Sequence, residues 1–278
     1  MRAAVRHEYG SPDVICIEEI ETPAPADDEV LVRVRAASVN LGDWELLTGD
    51  PFYYLPLIRL FGPKPRLRIP RPPRRANASS GRRGPFLPRY KVLGSDFAGT
   101  VEAVGQSVTQ FKPGDEVFGD SMLAGFGAFA EYVCVRERSA MIPKPADMTF
   151  EEAAAIPEAA FNALQALCGK HRVKPGHKVL INGAGGSVGT LAIQIAKASG
   201  AEVTGVDAPE KESRIRSLGA DHFIDYTKED FTRSGRGYDV ILDVVATRSV
   251  FSIRCALNKG GVYTMVGGGW RPFWQCVF

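Results

Sequence analysis

A run of closely spaced glycines places the strongest constraint on the fold of this 278-residue chain: Gly183-Ala184-Gly185-Gly186-Ser187-Val188-Gly189. The run follows a short apolar stretch at 178–182 that is typical of a buried strand. A helical pattern starts near Val188, with apolar residues on one stripe at positions 188, 191, 192, 195 and 196. Strand, glycine turn and amphipathic helix occur in the order that a dinucleotide-binding unit requires.

The spacing of these glycines has a chemical reason. A pyrophosphate binds backbone N–H groups at the positive end of a helix dipole, and side chains at the turn would obstruct it. Aligned on Gly189, the run predicts that Gly186 lets the backbone approach the phosphates and that Gly189 lets helix and strand pack closely. We therefore expect a set of cofactor-binding residues in this turn: Ala184, Gly185, Gly186, Ser187, Val188 and Gly189.

Two charged residues after the next predicted strand, at 202–206, bear on the choice of cofactor. Asp207 lies 23 residues beyond Ala184, where a carboxylate would accept hydrogen bonds from the adenosine ribose hydroxyls of NAD. Lys211 lies four residues further on and could instead reach the 2′-phosphate of NADP. The two signals conflict. We expect NAD or NADP as the cofactor and favour NAD on the basis of Asp207.

The rest of the chain predicts an α/β protein with two domains. Residues 1–146 hold short strands such as 30–35 and 100–104, punctuated by Gly and Pro, which predict a β-rich domain. From 147 to 278, strands and helices alternate, which predicts a doubly wound parallel sheet. Its strands are expected at 178–182, 202–206, 222–225, 240–245 and 262–266. Residues 150–167 are predicted as one helix, capped by Thr149 and Glu152.

A basic, proline-rich insert at 51–91 fits neither pattern. It holds nine prolines and eleven Lys or Arg residues, with no Asp or Glu. Such proline density excludes a helix and disfavours strands, so we expect a long exposed loop or a disordered segment. Two alternatives are a binding site for nucleic acid or an acidic membrane surface, and non-native sequence.

Overall composition excludes several classes of protein. The chain has 34 Lys and Arg residues against 32 Asp and Glu. This near balance is too small to imply a nucleic-acid partner by itself, and we expect none. Its five cysteines form no CxxC pair, which favours a reducing compartment, and we expect a cytoplasmic protein. We find neither a signal-peptide pattern nor a stretch near the ~20 apolar residues of a membrane span.

Several motifs in a fixed order resemble the medium-chain dehydrogenase/reductase superfamily, in particular its zinc-free quinone oxidoreductase branch. Besides the glycine run they are Ala37-Ser38-Val39-Asn40, Leu93-Gly94-Ser95-Asp96-Phe97-Ala98-Gly99, Pro113-Gly114-Asp115-Glu116-Val117, Ala128-Phe129-Ala130-Glu131-Tyr132 and Ser217-Leu218-Gly219-Ala220-Asp221. The resemblance implies a GroES-like catalytic domain, a Rossmann domain and an active site between them. It implies NAD(P)H-dependent hydride transfer to a quinone, an enone or a related activated carbonyl compound. Relatives often dimerise through the edge of the Rossmann sheet, which leaves a homodimer open.

The resemblance also implies roles for individual residues. Asn40 is the first choice for the group that polarises the substrate carbonyl, with Asp43 and Trp44 as further catalytic candidates. Five more residues are expected to bind the cofactor: Asn162, Tyr226, Val244, Gly267 and Gly268.

Zinc-dependent members of this superfamily hold a catalytic metal with a Cys, a His and a further Cys. In this chain Asn40 stands in place of the first Cys, and Ser95 replaces the His after Gly94. The segment 157–163 offers Glu158 and Asn162 but no Cys. These residues do not make a soft-ligand zinc site, so we predict no metal.

The chain ends nine residues after Gly269, where the resemblance implies further strands. We therefore expect a Rossmann domain that is incomplete at its C-terminal end. This expectation raises an alternative function, a nucleotide-binding protein with little or no turnover. A second alternative is a nucleic-acid or membrane-surface binder that acts through the basic insert.

Overall fold

The computed structural model describes residues 1–49, 88–169 and 172–267. These residues fall into two compact units, with the boundary between Glu158 and Ala159. All but the last four residues of the basic insert lie outside the described residues, and so does Gly268. Each helix formed by the described residues is too short or too polar to cross a membrane.

The first unit contains two antiparallel sheets. Its strands are β1 (Arg2–Arg6), β2 (Ile15–Glu19), β3 (Glu29–Ala37), β4 (Asp96–Val104), β5 (Glu116–Asp120), β6 (Tyr132–Arg136) and β7 (Met141–Pro143). β1 pairs with β2, and the other five strands follow the order β6-β3-β4-β5-β7. Val30 and Val32 of β3 pack against Phe97 and Val101 of β4 in a buried core. The predicted strands at 30–35 and 100–104 are confirmed.

A buried arginine joins the first strand to the first helix, α1 (Leu41–Thr48). Arg6 is 1% exposed, and its guanidinium donates hydrogen bonds to the backbone oxygens of Leu46, Leu47 (3.1 Å) and Tyr90 (3.1 Å). Burial lowers the pKa of Arg6 to about 10, so the group stays charged at neutral pH. A cation is favourable here because the carbonyl groups at the end of a helix carry partial negative charge.

The prediction of a single helix at 150–167 is wrong, because two helices occupy this stretch. They are α2 (Phe150–Ala154) and α3 (Pro157–Cys168). Pro157 lacks an N–H group and disfavours helical geometry at the residue before it, so α2 ends and a new helix begins. The predicted cap of α2 is confirmed: the Thr149 hydroxyl accepts from the Glu152 N–H (3.1 Å), and the Glu152 carboxylate accepts from the Thr149 N–H (2.9 Å).

Helix α2 belongs to the core of the first unit. Ala153 and Ala154 are buried against Ala98 of β4 and Phe118 of β5. This packing explains why the first compact unit extends beyond the last strand and includes α2. The domain junction drawn from composition at 146/147 stays a prediction.

The second unit is built on a five-stranded parallel sheet. Its elements are β8 (Lys178–Asn182), α4 (Ser187–Ala198), β9 (Glu202–Asp207), α5 (Glu212–Ser217), β10 (His222–Asp225), β11 (Tyr238–Asp243), α6 (Val250–Cys255) and β12 (Leu257–Met265). The strands follow the order β10-β9-β8-β11-β12 and are parallel throughout. The predicted parallel, doubly wound sheet is confirmed.

Both faces of the central strand β8 are buried, which explains why Val179, Leu180 and Ile181 form a continuous apolar run. Val179 and Ile181 of β8 pack in one core with Ala192 and Ala196 of α4, and Leu180 packs in the opposite core with Ile253 of α6. Because the chain moves outward from β8 to β10 and then returns to β11, the sheet has a topological switch point between β8 and β11. Ligands of open α/β sheets bind at such a point, outside the carboxyl ends of the strands.

We predict that Gly189→Ala destabilises the second unit. A Cβ atom at position 189 would lie 2.2 Å from the Gly183 oxygen and 2.6 Å from the Ala184 Cα, backbone atoms that cannot move aside cheaply. The expected loss is about 3 kcal/mol in the free energy of unfolding, measured by urea denaturation.

Gly186→Ala is the matched control. The nearest atom to a Cβ at position 186 is the Gly183 oxygen at 3.4 Å, and the φ of Gly186 is −83°. We expect this variant to lose less than about 1 kcal/mol. Equal losses in the two variants would contradict the close approach at Gly189.

Candidate functional site

The glycine turn connects β8 to α4 at the carboxyl end of the sheet. Gly183 has a φ of +85°, in the left-handed region that favours glycine, and Gly186 is the N-cap of α4. The N–H groups of Gly183 and Ala184 donate to the Val206 oxygen (2.9 and 3.1 Å), which fixes the turn to the neighbouring strand β9. The first N–H groups of a helix have no partner within it, so the start of α4 at Ser187 is suited to bind an anion.

Asp207, at the end of β9, contacts this turn directly. Its Oδ2 accepts a hydrogen bond from the Gly185 N–H (2.8 Å), and its Oδ1 accepts one from the Ala208 N–H (2.8 Å). Lys211 Nζ lies 2.9 Å from Oδ1. Burial opposes the charge of Asp207, but the hydrogen bonds from Lys211, Ala208 and Gly185 outweigh it and hold the pKa below its ordinary value. The carboxylate is therefore ionised at neutral pH and paired with Lys211.

The structure brings most of the predicted cofactor residues to this one edge of the sheet. Tyr226 follows β10 and is 52% exposed, and its backbone N–H donates to the backbone oxygen of Asp207 (3.4 Å). Val244 follows β11, and its N–H donates to the Asn182 oxygen (3.0 Å). Gly267 follows β12 with a φ of +74°. Asn162 instead lies half-buried on α3.

A second polar group of residues lies in the first unit and centres on Asn40. The Asn40 Nδ2 lies within hydrogen-bond distance of Ser38 Oγ (3.2 Å), Ser95 Oγ (3.1 Å) and Asp96 Oδ2 (3.0 Å). The Ser95 hydroxyl donates to Glu158 Oε2 (3.1 Å). An amide has two N–H bonds, so these three oxygens already occupy both donors of Asn40.

The other two residues expected at the substrate are placed differently. Asp43 is 3% exposed, and its carboxylate accepts from the N–H groups of Gly94 (2.9 Å) and Asn40 (3.0 Å). It thus ties the start of α1 to the segment that carries Ser95. Burial raises the pKa of Asp43, although these two hydrogen bonds oppose the shift. Trp44 is 49% exposed.

Three carboxylates that are widely separated in the sequence, those of Asp96, Asp120 and Glu158, meet beside Asn40. Burial raises the pKa of Asp96 to about 7 and also raises the pKa values of Asp120 and Glu158. Within the described ranges, they form the one set of three or more Asp, Glu, His or Cys side chains whose ligand atoms all lie within 4.8 Å of one another. Oxygen ligands of this kind suit hard cations such as Mg²⁺ or Ca²⁺, not the sulfur and imidazole chemistry of a catalytic zinc site.

Comparison with known proteins identifies the family. The family model "Alcohol dehydrogenase GroES-like domain" matches residues 74–146, and "Zinc-binding dehydrogenase" matches residues 187–273. The quinone oxidoreductase of Lama guanicoe is 30% identical over 275 residues, which cover 96% of this chain and 73% of that protein. The chloroplastic NADPH-dependent alkenal/one oxidoreductase of Arabidopsis thaliana is 34% identical over 291 residues, covering 100% of this chain and 65% of that protein.

A solved structure agrees with these matches. The quinone oxidoreductase from Coxiella burnetii is similar at a TM-score of 0.74 and 26% identity, covering 100% of this chain and 86% of that chain. The chain belongs to the medium-chain dehydrogenase/reductase superfamily, in its quinone-oxidoreductase-like branch. Members of this superfamily are NAD(P)-dependent oxidoreductases. The predicted combination of a GroES-like domain and a Rossmann-like parallel sheet is confirmed.

We predict that Asp96 makes the stability of the chain depend on pH near neutrality. Its pKa is about 7 in the folded chain against an ordinary value of 3.8, so the folded state binds the proton more tightly. The stabilisation is therefore present at low pH and is lost as the pH rises through about 7. Between pH 6 and pH 8, the free energy of unfolding of the unsubstituted chain should fall by about 1 kcal/mol more than that of Asp96→Asn.

Urea denaturation at the two pH values measures this difference. Asp230→Asn is the control, because hydrogen bonds from Thr232 and the charge of Arg248 outweigh burial and lower the pKa of Asp230. This variant should keep the pH dependence of the unsubstituted chain. An unchanged pH dependence in Asp96→Asn would contradict the assignment.

Proposed function

We propose that the chain is an NAD(P)H-dependent oxidoreductase that transfers hydride to a quinone, an enone or a related activated carbonyl compound. One observation carries the proposal: the glycine turn, the start of α4 and Asp207 meet at the carboxyl end of β8, next to the topological switch point. Relatives named quinone oxidoreductase and alkenal/one oxidoreductase support the substrate class.

The residues of the turn fit a dinucleotide. A Cβ atom at Gly186 would face open space apart from the Gly183 oxygen at 3.4 Å, so the backbone is accessible to a phosphate group. The N–H groups of Ser187 and Val188, at the start of α4, would hold the negative charge of the pyrophosphate. Asp207 would accept hydrogen bonds from the adenosine ribose. When bound, the nicotinamide supplies the hydride, so the protein need only bind, orient and polarise.

We propose that the Asn40 amide donates a hydrogen bond to the carbonyl oxygen of the substrate. The network of Ser38, Ser95 and Asp96 holds the Asn40 amide in one orientation, and the amide can exchange its bond to Ser38 for one to the substrate oxygen. Such a donor stabilises the negative charge that develops on that oxygen. Asp43 positions Asn40 because its carboxylate accepts a hydrogen bond from the Asn40 backbone N–H. The half-exposed Trp44 offers an apolar ring to the substrate.

We also propose that the reaction does not use zinc. The Nδ2 of Asn40 points toward Asp96 as a donor, and Ser95 offers only a hydroxyl that donates to Glu158. A catalytic zinc ion in this superfamily is typically held by thiolate and imidazole, and this set offers an amide, a hydroxyl and carboxylates instead. The residues present therefore do not fit a catalytic zinc, and no step is assigned to one.

For the cofactor we favour NAD over NADP, although one relative is named NADPH-dependent. The ionised Asp207 would repel a 2′-phosphate at the end of β9. Lys211, the residue that could neutralise such a phosphate, is already paired with Asp207 at 2.9 Å. A ribose with free hydroxyls satisfies the carboxylate without breaking this pair.

The function is tested by mixing the purified, folded chain with NADH or NADPH and a small quinone or an α,β-unsaturated ketone. We expect the nicotinamide absorbance at 340 nm to fall with time. Gly186→Ala should raise the KM for the cofactor about tenfold or more, because its methyl group occupies the phosphate approach. Binding of cofactor without oxidation would favour a nucleotide-binding protein without turnover, and the absence of both would refute the proposal.

Cofactor preference has its own test. Asp207→Asn should improve the affinity for NADPH relative to NADH about tenfold, because it removes the repulsive charge and releases Lys211. Asp225→Asn is a matched control, since Asp225 ends the neighbouring strand β10 and pairs with Lys228 at 3.2 Å. Fluorescence titration with both cofactors measures the ratio. Tighter binding of NADPH than NADH to the unsubstituted chain would contradict the preference.

A further inference from the structure

Asp243, the last residue of β11, is a buried carboxylate to which the sequence assigned no role. It is 0% exposed. Its Oδ1 accepts hydrogen bonds from Asn182 Nδ2 (2.7 Å), the Ala246 N–H (2.7 Å) and the Val245 N–H (3.1 Å). Its Oδ2 accepts one from the Tyr263 hydroxyl (3.2 Å). Four neutral donors therefore converge on one buried carboxylate, three of them on the same oxygen.

These bonds link the ends of three adjacent strands. Asn182 ends β8, Asp243 ends β11, and Tyr263 lies on β12. Asn182 is bound twice, because its side chain donates to Asp243 while its backbone oxygen accepts from the Val244 N–H (3.0 Å). The loop after β11 is thus fastened to the residue that immediately precedes the glycine turn.

The same carboxylate holds the loop after β11 in an uncommon conformation. Ala246 has a φ of +44°, in the left-handed region that costs a non-glycine residue free energy. Its N–H is one of the two backbone groups bound by Asp243. The loop also touches the glycine turn: a Cβ built on Gly183 would lie 3.0 Å from Val245 Cγ2 and 3.3 Å from Val244 Cβ.

Topology places this contact at the switch point. The turn after β8 and the loop after β11 are the two walls of the crevice where a Rossmann-type sheet binds a dinucleotide. Asp207 is on the β9 side of that crevice, where the adenosine half is expected. The loop of Val244 and Val245 is on the β11 side, where the other half of the dinucleotide must lie.

We propose that Asp243 is a positioning residue that sets the β11 wall of the crevice and so determines binding of the nicotinamide half of the cofactor. The proposal rests on the proposed function, since it presupposes a dinucleotide at the switch point. Asp243 acts through the loop and does not itself touch the ligand. Its effect should therefore separate the two halves of the cofactor.

Asp243→Asn is the sharpest variant because it keeps the size of the side chain. The amide of Asn can turn its NH2 toward the Tyr263 hydroxyl, which is able to accept, and keep its oxygen toward Asn182, Val245 and Ala246. A neutral amide oxygen accepts hydrogen bonds more weakly than a carboxylate oxygen, so the three bonds that hold the loop weaken. We expect the Kd for NADH to rise about tenfold or more, while the Kd for ADP, which lacks the nicotinamide half, changes less than twofold. Calorimetric titration of each ligand measures both values.

Asp239→Asn is the matched control at the opposite end of the same strand. Asp239 accepts from the Lys178 N–H (2.8 Å) and from Asn258 Nδ2 (2.8 Å), so it too links a backbone group and a side-chain amide. This variant should lower thermal stability without changing either Kd. A purely structural role for Asp243 would give the same pattern in both variants.

The outcomes separate the two proposals. If the unsubstituted chain binds neither NADH nor ADP, the proposed function fails and this inference fails with it. If the unsubstituted chain binds both but Asp243→Asn leaves the NADH Kd unchanged, or weakens NADH and ADP equally, only the positioning role is overturned. If Asp243→Asn does not fold, Tyr263→Phe decides: it removes one donor, and we expect about a threefold rise in the NADH Kd alone, an unchanged value refuting the role.

Discussion

The close approach of α4 to the end of β8 is the contact on which the carboxyl edge of the parallel sheet depends. Gly189 lies so near the Gly183 oxygen and the Ala184 Cα that a methyl group has no room between them. This approach directs the first turn of the helix, with its unpaired N–H groups, over the strand ends. The position of this helical turn relative to Asp207, and of the β11 loop relative to Gly183, follows from it.

The local part of this arrangement could be predicted from the sequence. The glycine turn, the strand before it and the cap of α2 each depend on residues within about ten positions, and all are found. Asp207 and Lys211 were recognised singly, as evidence for different cofactors. Their spacing of four residues does not show whether each side chain contacts a ligand or, as in the structure, the two pair with each other. The prediction of one helix at 150–167 rests on its N-terminal cap, which marks where a helix begins but not where it ends, and Pro157 divides the stretch in two.

The buried polar networks could not be predicted, because strand pairing assembles them. Asn182 and Asp243 are 61 residues apart and meet because β8 and β11 are neighbours. Asp96 and Glu158 are 62 residues apart and meet at the start of β4. Each carboxylate also looks ordinary in sequence, since burial distinguishes it only after folding. In both networks neutral donors surround the acid, an arrangement that fixes geometry more than it adds stability.

The guanidinium of Arg6 has a consequence for how this fold tolerates change in length. It holds the carbonyls of Leu46 and Leu47, just before residues 50–87, and that of Tyr90, just after them. The residues just before 50–87 and the residues just after them are therefore held at one point by Arg6, independently of the residues between. The entropy of closing a loop grows only slowly with its length, by about 0.6 kcal/mol for each doubling. Insertions and deletions can accumulate between these anchors over evolutionary time while the five-stranded sheet of the first unit keeps its register.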